Sequence, residues 1–152
     1  MTTTSGMTFA HAAALLAGHL ADHALPEPVS LSVTTSYGDS TATAQLRGDT
    51  VPGIAGDLID WADTLSVVTA DAWRPSERDR VHLSIRGTLT GPAGTVALKV
   101  FGAVDYDPLR FADLQPDPRQ GVALGLGQLR TWAADPSTTT GTPLLPTLRA
   151  PR

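Results

Sequence analysis

The stretch VSLSVTTSYGDSTATAQLR, residues 29–47, alternates apolar and polar side chains on either side of a short turn. Val29, Leu31 and Val33 fall on one side, and Ser30, Ser32 and Thr34 on the other. After Tyr37-Gly38-Asp39-Ser40 the alternation resumes, with Ala42, Ala44 and Leu46 set against Thr41, Thr43 and Gln45. A period of two is the signature of a strand buried on one face only. Gly38 suits a type II′ turn, so the whole stretch predicts an antiparallel hairpin.

The period changes on both sides of this hairpin. Residues 8–24 predict a helix: Phe9, Ala13, Leu16 and Leu20 share a stripe, Thr8 is a candidate N-cap, and Pro26 and Pro28 stop it. Residues 50–65 predict a second, opened by Pro52 in its first turn, with Ile54, Leu58, Trp61 and Leu65 facing inward. Asp57, Asp60 and Asp63 lie on its outer side.

Three more strands are predicted, over residues 66–73, 81–89 and 95–105. In the second, Val81, Leu83, Ile85 and Leu89 face in, while His82, Ser84, Arg86 and Thr88 face out. In the third, Val96, Leu98, Val100 and Val104 share a side, with Ala97 and Phe101 on the other. Past Asp107-Pro108 the pattern weakens. A short third helix is predicted over residues 122–134 from Val122, Leu126, Leu129 and Ala133, although Gly125 and Gly127 oppose it.

Residues 1–7 are small and polar and read as a disordered leader, and residues 135–152 read as a Pro/Thr-rich disordered tail. Between them lies one α+β domain, residues 8–134, in the order α-β-β-α-β-β-β. The expected architecture is a mainly antiparallel, five-stranded sheet with the helices on one face.

At 152 residues the chain suits one core, and with only 5% aromatic residues that core must come from Val, Leu, Ile and Ala. The formal net charge of -4 argues against a general polyanion binder, because neutralising phosphates takes a basic surface. The absence of cysteine removes disulfides, thiolate nucleophiles and cysteine metal sites. No Lys or Arg precedes Arg47, so the stretch 9–21 lacks the charged flank of a signal peptide. A cytoplasmic protein with no membrane contact is expected.

The runs LIDWADTL (58–65), VTADAWRP (68–75), VHLSI (81–85) and VFGAVDY (100–106) resemble a group of small actinobacterial proteins of the Streptomyces type. The resemblance spans roughly residues 9–132. It implies no activity and no site residues.

Chemistry-bearing patterns are sparse. His19 and His23 stand at i, i+4, a metal-ligand spacing, yet lack an evident third ligand. Gly125-Leu126-Gly127 begins like a dinucleotide fingerprint, but Arg130 replaces the third glycine and no βαβ unit follows. Asp57, Asp60 and Asp63 read as a solvated helix face, and Asp105-Tyr106-Asp107 as a strand end. No GxSxG elbow or Walker loop occurs. Neither a metal nor a cofactor is expected.

The densest interaction candidates are Trp73, Arg74, Arg78, Arg80, His82 and Arg86, arginines beside an aromatic in and around one loop. The outward residues Ser30, Ser32, Thr34, Thr41, Thr43, Gln45, His82, Ser84, Arg86 and Thr88 form a polar sheet face that is uncharged apart from Arg86. The expected function is a non-enzymatic binding or accessory protein that acts through protein contact, with a partner or with itself as a homodimer. The alternatives are a small-ligand binder or enzyme with a pocket between helices and sheet, and a nucleic-acid accessory factor using the Arg74 to Arg86 region.

Overall fold

The computed structural model describes residues 6–76 and 80–135. Arg78, most of the expected leader and the tail beyond Asp135 lie outside the described residues. The elements are α1 (Phe9–His23), β1 (Ser30–Ser36), β2 (Asp39–Gln45), α2 (Val51–Ala62), β3 (Ser66–Trp73), β4 (Arg80–Gly91), β5 (Gly94–Asp105), β6 (Val122–Leu124) and α3 (Leu126–Ala133). The fold is α+β, with a mixed six-stranded sheet in the order β1-β2-β5-β4-β3-β6.

Two details correct the expected five-stranded sheet. First, β2 pairs with β5 in parallel, while the other neighbours are antiparallel. The reason is the crossover through α2. A strand–helix–strand connection brings the chain back running the same way, and the β3-β4-β5 meander then returns β5 to the side of β2. Second, residues 122–124 form the edge strand β6 rather than the start of a helix, and α3 begins only after Gly125, its N-cap residue.

The β1–β2 turn differs as well. Its loop is Tyr37-Gly38 alone, and both residues have positive φ, at 50° and 87°. That is the type I′ arrangement, whereas type II′ needs positive φ at the first position only.

The helices cover one face. Thr50 caps α2 by accepting from the Gly53 amide at 3.2 Å. The buried stripe of α2 includes Ile54, Leu58 and Trp61. Against it lie Val81, Leu83 and Ile85 of β4 and Val96, Leu98, Val100 and Val104 of β5, all buried. Gly102 lets α2 come this close, since a Cβ there would stand 2.5 Å from Ile54 Cδ1.

On α1 the buried residues are Ala12 and Leu16, so the apolar stripe is rotated from the expected one and Phe9 is 58% exposed. Met7, assigned to the leader by its composition, is buried and packs near Gly94. The weakly patterned segment after β5 also contributes to the core: Phe111 and Leu114 are buried, and Phe111 meets Trp132 of α3 edge-on at 5.4 Å.

Candidate functional site

The opposite face of the sheet carries the polar half of each alternation. Register places Trp73 opposite His82, Asp71 opposite Ser84, Ser84 opposite Phe101, and Arg86 opposite Lys99. The 106–121 segment passes from the helix side, where Phe111 and Leu114 pack, to this face. It is held there by a hydrogen bond from Trp73 Nε1 to the Asp117 carbonyl, 2.7 Å, and by one from the Asp117 amide to the Arg74 carbonyl, 2.9 Å. Gly121 permits the approach, because a Cβ there would lie 2.8 Å from the Ala72 carbonyl oxygen.

Together these elements enclose a cleft of about 200 Å³ lined by Asp71, Trp73, His82, Ser84, Arg86, Lys99, Arg119, Gln120 and Gly121. Three cations therefore face one carboxylate. Asp71 is already engaged: it accepts from Ser84 Oγ at 2.6 Å and lies 3.7 Å from Arg86 Nε. Ser84 is only 2% exposed although it points away from the main core, so its buried hydroxyl and the half-buried Asp71 carboxylate form the floor. Lys99 Nζ stands 5.5 Å from the Phe101 ring centroid.

The His82 ring lies between Trp73 and Phe101, with centroids at 5.4 and 5.6 Å. Burial, and then the charges of Lys99 and Arg80, hold its pKa below the ordinary value of 6.5. The imidazole is thus neutral at pH 7 and offers one N–H and one bare nitrogen.

Of the six residues singled out from sequence, Arg78 lies outside the described residues and the other five part company here. Trp73, His82 and Arg86 line the cleft. Arg80 lies on the same face but pairs with Asp105 at 2.8 Å and donates to the Ala103 carbonyl. Arg74 turns elsewhere: its guanidinium lies 3.8 Å over the Tyr106 ring and donates to the Leu114 carbonyl, clamping the segment after β5. The expectation of a face charged only at Arg86 is corrected by Asp71, Lys99 and Arg119. For Lys99 the signal was present, since it shares strand parity with Phe101. Arg119 arrives on a coil with no periodicity to read.

No family model, no curated protein and no solved structure matches the chain. What it does must be read from its own site.

Two other places were candidates. His19 and His23 do approach, with ring centroids 4.5 Å apart, but His19 Nε2 is 2.8 Å from Thr64 Oγ1. The Thr64 hydroxyl gives its only hydrogen to the Trp61 carbonyl at 2.7 Å, so His19 is the donor and serves to latch α1 to the end of α2. Among the described residues no group of three metal-ligating side chains occurs. On the helix side, a shallow recess of about 190 Å³ at the sheet edge is lined by Ala72, Phe111, Leu114, Leu124 and Trp132 among others. Its lining cation, Arg110, is already engaged by Asp135 at 2.7 Å, and the rest of its lining is largely apolar.

Proposed function

We propose that the protein is a binding protein of the accessory type, with no chemistry of its own, that holds a protein partner on the open face of its sheet. The observation that carries this reading is the cleft, in which Trp73, His82, Arg86, Lys99 and Arg119 converge on a face that no helix among the described residues covers. Arginine and tryptophan in a rimmed depression are the side chains that most often anchor protein contacts. The test is capture from nuclease-treated host lysate with wild-type protein and with Arg86→Glu and Lys99→Glu. A partner held by the wild type and lost with either charge reversal supports the reading. A partner retained equally by all three places the interface elsewhere.

Self-association is a second reading, favoured by the edge strand β1. Its seven residues, SLSVTTS, carry no charge and no proline, and Leu31 is 40% exposed. Protected edges normally carry lysine, proline or a bulge. A second copy meeting β1 in antiparallel register would centre on Val33 and bring no like charges together. Light scattering on the wild type and on Ser32→Lys tests this, with a dimer expected only for the wild type.

A further inference from the structure

Beyond a general contact surface, the cleft has the build of a specific anion site. Arg86 and Lys99 stand directly opposite one another on β4 and β5, where like charges destabilise a sheet. Elsewhere Arg80 pairs with Asp105 at 2.8 Å, Arg110 with Asp135 at 2.7 Å and Arg130 with Asp63 at 2.9 Å, while Arg74 lies over the Tyr106 ring and donates to the Leu114 carbonyl. Acidic residues are in excess, 15 against 11 Lys and Arg. Even so, no carboxylate among the described residues pairs with Lys99 or with the Arg119 side chain. Among the described residues the one carboxylate lining the cleft is Asp71, which is held by Ser84 and lies near Arg86.

Two hydrogen bonds brace the walls of the cleft. Trp73 is held by its hydrogen bond to Asp117, and the Arg119 amide donates to Asp117 Oδ1 at 2.8 Å, which shapes the turn that carries Arg119 over the sheet. Neutral His82 adds a donor that needs no proton uptake to work.

We infer that this cleft binds a dianionic oxyanion of the phosphate-monoester class between Lys99, Arg119 and Arg86. Among the described lining residues, three cations and one carboxylate leave a formal charge of two, which a dianion neutralises and a single carboxylate does not. Guanidinium and ammonium groups are the usual partners of such an oxyanion. This inference rests on the open face being the binding face, and it names the chemistry recognised there. The group has two sources, a phosphorylated side chain of the partner or a free phosphate ester.

The test is a chemical-shift titration of the whole protein above neutral pH, with sodium phosphate against sodium chloride at matched ionic strength. Saturable shifts are expected at Asp71, His82, Lys99 and Arg119 with phosphate only. The His82 pKa should rise when phosphate is bound, because the anion offsets the field of Lys99 and Arg80. Lys99→Ala and Arg119→Ala should each weaken phosphate binding by about tenfold or more, the worth of one charge-assisted hydrogen bond, while leaving the remaining spectrum folded. Tighter binding of a phosphoserine peptide than of free phosphate assigns the group to a partner polypeptide. Equal binding assigns it to a free ester, and both outcomes uphold the class.

Shifts no different from those with chloride, or unchanged by both alanine variants, overturn the inference. So does acetate binding as well as phosphate, or a single-stranded oligonucleotide binding more tightly than the phosphopeptide. If the partner in the capture experiment depends on Lys99 yet survives phosphatase treatment of the lysate, a phosphorylated partner is excluded as the source while the open-face reading stands.

Discussion

The two faces of the sheet are made by the same strands from alternate residues, and they follow opposite rules. On the covered face, β4 and β5 present Val81, Leu83, Ile85, Val96, Leu98, Val100 and Val104, all buried beneath the helices. On the open face the same strands present His82, Ser84, Arg86, Thr88, Lys99 and Phe101, with Ala97 and Ala103 between them. The covered face is explained by burial alone. The open face is not, because a merely solvated surface does not need a buried serine donating to a half-buried aspartate, or two cations set opposite one another. The difference separates residues that hold the fold from residues that the fold holds out.

The sharpest way to break this comparison is a pair of truncations. Leu83→Ala on the covered face should cost about 2–5 kcal/mol in urea denaturation, through lost burial and the cavity left behind. Thr41→Ala on the open face should change stability by no more than about 0.5 kcal/mol. Equal losses would mean that the two faces are not distinct in kind.

Ser84 is the exception that sharpens the contrast, being an open-face residue with a structural task. Ser84→Ala should cost about 1–3 kcal/mol by leaving the Asp71 carboxylate short of its donor. Adding Asp71→Ala should recover part of that loss in the same denaturation series.

Most of the covered face was legible from the residues, because burial imposes a period. The alternation in residues 29–47 and 81–105 marks β1, β2, β4 and β5 on the correct sides, and the Ile54, Leu58, Trp61 stripe marks α2. The sheet order was not legible. Nothing local to residues 41–47 says that β2 will lie beside β5 rather than only beside β1. That outcome comes from the α2 crossover and from long-range packing. Phe111 and Leu114 were missed for a related reason, since a coil can bury single residues without repeating. At the site, Trp73, His82 and Arg86 were readable from parity and composition. Arg119 required knowledge of where the 106–121 segment crosses the sheet, and Arg74 was misplaced because adjacency in sequence is not adjacency on one face.

The β1–β2 turn belongs to neither face and provides a control. Tyr37 is fully exposed and held at φ 50°, a conformation that costs a side chain such as tyrosine about 1 kcal/mol more than asparagine. Tyr37→Asn should therefore raise the urea midpoint slightly and leave both faces unchanged.

The smallest expected effect is on pH. His19, on the covered side, is shifted down by burial and then by His23, against an opposing pull from Asp22. His82, on the open side, is shifted down by burial and then by Lys99 and Arg80. In each case the unfolded imidazole takes up its proton near 6.5 and the folded one only at lower pH. Stability should thus fall as pH drops through 6.5, with the full penalty present below the folded pKa. His82→Gln should make that fall shallower, and bound phosphate should do the same only for the His82 share.

The most direct test of the open face as the binding face is photo-crosslinking from both sides of the molecule. A photoreactive residue is placed at Ala97 on the open face or at Asp60 on the outer side of α2, in otherwise identical protein exposed to nuclease-treated host lysate. Adducts of one defined mass from Ala97, and none from Asp60, are the predicted result. Adducts from Asp60 alone would contradict the account and move the interface to the helices.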